Sequence, residues 1–124
     1  MGFPYFHDEV PKKYAFYRIP KVLFSDERFA GLSVEAKFLY AMMLDRMEIS
    51  MKNGWKDKEG HAYIYFTMDE VMELLQCQSE KVVKLFSELD GKNGIGLIET
   101  VRQGFGKPNR IYVKNFMDNP SISN

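Results

Sequence analysis

Apolar residues recur at helical spacing in two neighbouring stretches in the second half of the chain. In the first stretch, residues 67–75, the apolar side chains stand three or four positions apart, which places them on one face of a helix. These positions are Met68, Val71, Met72 and Leu75. Thr67 precedes the apolar stripe. Glu70 stands three residues after Thr67, which is the spacing of a capping box. The pattern predicts a short helix that begins after Thr67.

A second amphipathic pattern follows after a tight turn. Its apolar positions are Val82, Leu85, Phe86 and Leu89. Ser79 is a favourable N-cap residue, so we predict that the second helix begins there. The opposite face carries Glu80, Lys84 and Ser87, with Lys81 and Glu88 on either side of them. The chain therefore contains two short helices, each with one side available for burial.

The residues after the second helix predict a hairpin. After a glycine-rich break, residues 97–103 and 110–116 are predicted strands around a Gly/Pro-rich tip at residues 104–109. Helix, turn, helix and hairpin in this order are typical of a winged helix-turn-helix. We therefore predict an α+β fold, a helical core with a small antiparallel sheet or wing and an extended N-terminal arm. That architecture suggests binding to nucleic acid.

The residues that precede the two helices predict the rest of the core. Residues 33–47 are apolar nearly all round, which indicates a long central helix that begins at Ser33. Residues 62–66 predict a short strand able to join the hairpin as a third strand. Trp55 lies in a turn-rich segment, either as a stacking platform or as a core anchor beside that strand, and we favour the anchor.

The N-terminal 25 residues contain three prolines and seven aromatic residues. Proline at this density opposes helix formation, so we expect an extended arm. Its aromatic side chains pack either on the chain's own domain or on another subunit, and we predict a homodimer. The predicted interface residues are Phe3, Tyr5, Phe6, Tyr14 and Phe16. The expected divisions are an arm at 1–24, a winged-helix domain at 25–117 and, at 118–124, the start of a linker to a C-terminal domain outside this chain.

The distribution of charge supports a nucleic-acid face although the net charge is zero. Residues 81–114 hold seven basic and three acidic residues, so positive charge gathers on the second helix and the hairpin. The N-terminal half of the second helix usually meets base edges, while a wing meets phosphates or the minor groove. The predicted DNA-binding residues are Gln78, Ser79, Lys81, Lys84, Arg102, Gln103, Lys107, Asn109 and Arg110.

The sequence gives little support for a cofactor site, a metal site, an active site or a membrane span. The sequence contains no phosphate-binding loop, no metal-ligand spacing and no catalytic constellation, so we expect no cofactor, no metal and no enzymatic activity. No apolar run reaches the roughly 20 residues that a membrane span needs. The single cysteine, Cys77, fits a reducing compartment, and we expect a cytoplasmic protein.

Many short motifs, in order along the chain, resemble one known family. They occupy residues 17–24, 32–40, 44–46, 49–50, 53–55, 57, 60, 63–65, 96–98, 102–104 and 107–113. Together they resemble the N-terminal domain of RepA-type plasmid replication initiators (the RepA_N family) of Gram-positive bacteria, including those of staphylococcal multiresistance plasmids. The resemblance covers residues 14–117, while residues 1–13 match least.

The resemblance implies a winged-helix domain that binds repeated double-stranded DNA sites in a plasmid origin, usually as a dimer. It also implies a further C-terminal domain that engages host replication proteins. Two alternatives stay open, because a fold does not determine a function. One is a winged-helix transcriptional regulator that binds an operator. The other is a protein-interaction winged helix that binds no DNA.

Overall fold

The computed structural model describes residues 2–7 and 15–117, and its elements follow the predicted winged helix-turn-helix order. The elements are α1 (Val22–Ser25), a 3-10 turn (Glu27–Phe29), α2 (Val34–Lys52), α3 (Met68–Leu75), α4 (Ser79–Leu89), β1 (Ile98–Val101) and β2 (Arg110–Val113). α4 packs against both α2 and α3, and the two strands form an antiparallel hairpin. The predicted helical core with a small antiparallel sheet is therefore confirmed.

The long helix α2 is the central element of the core. It begins at its N-cap Ser33, whose hydroxyl oxygen accepts a hydrogen bond from the Ala36 N–H at 3.1 Å. The predicted end near residue 47 was too early, because nothing in residues 48–52 breaks a helix and the chain first reverses at Gly54, which has a φ of 74°. The apolar side chains of α2 that are fully buried are Ala36, Leu39, Tyr40, Ala41 and Met43.

The core continues from α2 into every other element. Fully or nearly fully buried aliphatic side chains come from α1, α3, α4 and the sheet: Leu23, Val71, Val82, Leu85, Leu89, Ile98 and Ile111. Leu23 belongs to a four-residue helix in a segment that was expected to be extended. The short helix α1 therefore attaches the end of the N-terminal segment to the domain.

The helix-turn-helix is defined by its caps. The predicted capping box is present, because the Thr67 hydroxyl accepts from the Glu70 N–H and the Glu70 carboxylate accepts from the Thr67 N–H. Gln76 ends α3 in a left-handed conformation with a φ of 53°. The prediction of Ser79 as the cap of α4 was wrong: the residue with cap geometry is Gln78, and Ser79 is already helical. Because the left-handed Gln76 already reverses the chain after α3, the extended cap residue of α4 comes one position earlier than predicted, at Gln78.

The sheet is smaller than predicted. β1 and β2 pair from Ile98 with Val113 to Val101 with Arg110, so both strands end before the predicted limits. The predicted third strand is a single bridge, in which Ile64 and Ile111 exchange two backbone hydrogen bonds of 2.9 Å. The bridge does not extend into a strand, because Thr67, the N-cap of α3, follows only three residues after Ile64.

A glycine-rich loop joins α4 to the sheet and folds back over the helix end. A Cβ atom on Gly94 would lie 2.0 Å from the carbonyl oxygen of Glu88, so only glycine fits there. The Ile95 N–H donates to that carbonyl at 3.0 Å, and the Gly96 N–H donates to the carbonyl of Leu89. The loop thereby satisfies the last carbonyls of α4 and directs the chain into β1.

Candidate nucleic-acid interface

The face of α4 that points away from the core is exposed along its first two turns. Glu80, Val83 and Lys84 are exposed, while Val82 and Leu85 are buried beneath them. Residues three and four positions apart share a side of a helix, so the exposed residues form one strip. Apart from Val83, this strip matches the outward face predicted from the sequence.

An open groove separates α4 from the hairpin. Its volume is about 570 Å³. Val83, Phe86 and Ser87 line it from α4, and Thr67 and Met68 line it from the start of α3. The hairpin contributes Thr100, Lys107, Pro108, Asn109 and Ile111. The groove thus brings Val83 of the outward strip together with two of the predicted wing residues, Lys107 and Asn109.

The two predicted lysines of α4 have different surroundings. Lys84 is exposed, whereas the Lys81 ammonium lies 3.0 Å from a carboxylate oxygen of Glu35 near the start of α2. The pKa of Glu35 lies below its ordinary value, because its own backbone N–H and the Lys81 ammonium both stabilise the charged form. Both members of this pair are partly exposed, so the pair orients Lys81 more than it stabilises the fold.

Gln78 and Ser79, at the start of α4, differ in exposure and in their part in the helix cap. Gln78 is exposed, and its side chain makes no capping hydrogen bond, although its carbonyl accepts from the N–H groups of Lys81 and Val82. Ser79 is half-buried in the first turn. The Gln78 amide therefore projects from the helix N-terminus without a capping role.

Two of the predicted wing residues interact on the outer face of the sheet. The Arg110 guanidinium lies over the Tyr63 ring at 4.4 Å from its centroid. Hydrogen bonds with Tyr112 and Tyr65 hold the pKa of Arg110 above its ordinary value. The Gln103 amide donates to the Tyr65 hydroxyl at 3.2 Å and to the Pro108 carbonyl at 2.9 Å. Lys107 and Asn109 line the groove, whereas Gln103 and Arg110 do not, and Arg102 is exposed just beyond β1.

An aromatic cluster extends this outer face. Tyr63 and Tyr65 meet edge to face with ring centroids 5.6 Å apart, and Tyr63 meets Tyr112 at 6.2 Å. Trp55 lies 6.4 Å from Tyr65 and is 45% exposed, so its predicted role as a core anchor was wrong. The turn in which it lies keeps it at the edge of the sheet rather than beneath it. Sequence patterns alone did not predict this cluster, because its members come from three separate segments.

The aromatic side chains of the N-terminal arm are exposed wherever the structure describes them. Phe3 is fully exposed, and Tyr5, Phe6 and Phe16 are each mostly exposed. Tyr14, also predicted to lie in a dimer interface, falls outside the described residues, as do residues 118–124. The rings of Phe3, Tyr5 and Phe6 are therefore largely uncovered by the chain's own domain, whereas the Lys37 ammonium lies over the Phe24 ring.

No metal-binding group of His, Cys, Asp or Glu side chains occurs within residues 2–7 and 15–117. Across the same part of the chain, none of the helices has the length and apolar character needed to cross a bilayer.

Three solved structures resemble this chain closely. One, described as "N-Terminal domain of DNA binding protein", is 34% identical with a TM-score of 0.71, over 96% of this chain and 88% of that chain. A second, "Structure of Rep-DNA complex", is 36% identical with a TM-score of 0.69, over 90% and 84% of the two chains. A third, "Structure of MDR initiator", is 32% identical with a TM-score of 0.68, over 90% and 86%.

Sequence comparison also identifies a relative of this chain. A "41 kDa protein" of Lactobacillus helveticus is 35% identical over 103 residues, which make up 83% of this chain and 28% of that relative. The chain thus spans less than a third of that relative's length. The sequence model of the RepA_N family, described as the replication initiator protein A (RepA) N-terminus, matches residues 15–124. The chain therefore belongs to the RepA_N family, the DNA-binding N-terminal domains of replication initiators.

Proposed function

We propose that this domain binds specific, repeated sites in the double-stranded DNA of a plasmid replication origin and so initiates plasmid replication. The observation that carries the proposal is the groove between α4 and the hairpin, where Val83 of the exposed helix face and the wing residues Lys107 and Asn109 share one opening. One similar structure is described as a Rep-DNA complex, which supports the proposal further. The domain acts by binding, and we propose no catalytic step.

In this proposal α4 enters the major groove with its N-terminal half against the base edges. Gln78 pairs with adenine through its amide, and Ser79 lies beside it at the first turn. Lys84 contacts a phosphate or guanine. Lys81 makes the same kind of contact after its ion pair with Glu35 breaks. The free amide of Gln78 supports its role, because the helix does not use that side chain as a cap.

The wing follows the neighbouring phosphate strand or enters the adjacent minor groove. Arg102, Lys107 and Asn109 are exposed and are proposed to contact the DNA backbone. Gln103 and Arg110 are proposed to hold the wing in position from its outer face and to add positive charge, because both already contact Tyr65.

The first experiment titrates fluorescent duplexes with the chain at several salt concentrations. Lys84→Ala should weaken binding to specific and scrambled duplexes alike and lower the salt slope by about one unit. Gln78→Ala should cost about 1–3 kcal/mol on the specific duplex and little on the scrambled one. Lys52→Ala, which removes the same charge from the far end of α2, is the matched control. Unchanged affinity of both α4 variants would remove this helix from the interface.

The second experiment separates the two kinds of wing residue. Lys107→Ala should weaken binding to both duplexes without changing the unfolding temperature, as loss of a phosphate contact does. Arg110→Ala should lower the unfolding temperature, because the Tyr63 ring loses the guanidinium that covers it. Equal stability of the two variants, or unchanged binding by Lys107→Ala, would argue against this division of roles.

We propose that the domain acts as a homodimer through its aromatic arm, so that two-fold symmetry matches paired half-sites. The proposal is supported by the exposed rings of Phe3, Tyr5, Phe6 and Phe16, and it extends to Tyr14. Deleting residues 2–13 should convert a dimer to a monomer in light scattering at micromolar concentration. A deletion variant that stays dimeric, or an intact monomer, would contradict it.

The whole protein is proposed to recruit host replication proteins through a further C-terminal domain, in keeping with a relative much longer than this chain. Footprinting on plasmid DNA distinguishes the origin proposal from the alternatives. Protection of a repeated array in the origin supports it. Protection of an operator beside a promoter indicates a transcriptional regulator, and an absence of protection on any duplex indicates a protein-interaction domain.

A further inference from the structure

Val83 is an apolar residue on the outward face of α4, where the sequence pattern predicted polar residues. Its side chain is 55% exposed, whereas that of the adjacent Val82 is fully buried. The residues around it on this face, Glu80, Lys84 and Ser87, are polar. Valine loses side-chain freedom in a helix and favours helix formation less than alanine, lysine or glutamate. Neither core packing nor helix propensity therefore explains a valine here.

The groove beside Val83 is lined by both apolar and polar side chains, with Thr67, Ser87 and Asp90 on the helical side and Pro108 and Ile111 on the hairpin side. Val83 lines the groove together with Phe86 from the same helix and Met68 from α3. The opposite wall comes from the hairpin and carries Lys107 and Asn109, which are hydrogen-bond donors suited to phosphate oxygens. A phosphate makes no favourable contact with the apolar side chains of Val83, Phe86 and Met68. The apolar group that duplex DNA exposes in its major groove is the C5-methyl group of thymine.

We infer that Val83 contacts the C5-methyl group of one thymine in the bound site and so determines the base preferred at that position. The inference rests on the proposed binding of α4 in the major groove and adds a specificity-determining residue to it. Val83 is the fifth residue of α4 and falls in the half of the helix that meets base edges. Glu80, one turn earlier on the same side, would repel a phosphate, so the positions of Glu80 and Val83 suit base edges, while Lys84 beside them can still reach the backbone.

The test replaces thymine by deoxyuridine, which removes only the methyl group from the base. A duplex is first selected from a random pool by the intact chain, and each of its thymines is then replaced in turn. Loss of one buried methyl contact should weaken binding by about fourfold at a single position. Val83→Ala should weaken binding to the unmodified duplex by a similar factor, because alanine lacks both γ-methyl groups.

The decisive measurement is the combination of both changes. At the contacted thymine, Val83→Ala should bind the thymine and deoxyuridine duplexes equally, while the unmodified chain distinguishes them. Ile49→Ala is the matched control, because Ile49 is similarly exposed at 56% on α2 but does not line the groove. It should keep the discrimination of the unmodified chain. Val83→Ala is expected to stay folded, since alanine is the better helix former.

Additive effects at every thymine, or a selected duplex in which no thymine matters, would overturn the role of Val83 while leaving DNA binding intact. A pool that yields no bound duplex at all would overturn DNA binding itself, and the role of Val83 with it. The two failures are therefore distinguishable.

Discussion

The carboxylate of Glu88 joins α4 to the start of α2, and its removal should loosen the domain at that point. One carboxylate oxygen accepts from the Ser33 N–H at 2.7 Å, and the other accepts from the Ser33 hydroxyl at 2.8 Å. Ser33 is also the N-cap of α2, where a negative charge is favourable beside the helix dipole. Both hydrogen bonds are partly buried, so water replaces them only poorly.

The magnitude follows from these two bonds. A hydrogen bond to a charged group contributes about 1.5–3 kcal/mol, and partial exposure reduces each contribution. We therefore expect Glu88→Ala to lower the free energy of unfolding by about 2–3 kcal/mol. Glu88→Gln should lose about 1–2 kcal/mol, because its amide oxygen accepts one of the two bonds. For a domain of this size, 1 kcal/mol corresponds to about 3–5 °C in unfolding temperature.

The assay is urea unfolding followed by circular dichroism, with Glu80→Ala as the matched control. Glu80 is exposed on the same helix, so its removal should change stability by no more than about 0.5 kcal/mol. A double-mutant cycle of Ser33→Ala with Glu88→Ala should give a coupling energy of about 1 kcal/mol or more. If Glu88→Ala is as stable as Glu80→Ala, the contact with Ser33 does not stabilise the protein and this reasoning fails.

Three further predictions concern stability. Tyr40→Phe should cost about 1–2 kcal/mol in urea unfolding, because the buried hydroxyl donates to the Lys114 carbonyl at 2.5 Å. The pKa of Glu70 is lowered by a backbone N–H of the cap and by Arg46, so its stabilisation is complete at neutral pH and is lost as the pH falls through that lowered pKa. Glu70→Gln should therefore flatten the acid limb of stability measured from pH 7 down to about pH 3. Gln76→Gly should raise stability by about 0.5–1 kcal/mol in thermal unfolding, because glycine adopts the left-handed turn conformation without strain.

The elements whose determinants lie close together in the sequence could be predicted without the structure. The capping box of α3 involves residues three positions apart, and the buried stripe of α4 repeats every three or four positions. Both depend on contacts within one or two helical turns, so a linear pattern contains them. The hairpin followed from its glycine- and proline-rich tip, although its strands proved shorter.

Long-range contacts decided what each candidate site residue does. Lys81 and Lys84 look equivalent in sequence, but it is Lys81 that forms an ion pair with Glu35, which is 46 positions away. Lys107 and Arg110 both belong to the basic hairpin, yet Arg110 lies on the outer face over Tyr63 while Lys107 lines the groove. The alternation of a strand assigns residues to two faces but does not say which face meets which neighbour.

The sequence by itself therefore determined the order of elements, the caps of α2 and α3 and the exposed face of the second helix. Only the tertiary structure decided that Val83 shares a groove with the wing, that Glu88 bonds Ser33 and that Trp55 is half-exposed. The physical reason is the range of the interactions. Helix periodicity and capping act over a few residues, whereas grooves and aromatic clusters form only when distant segments pack together.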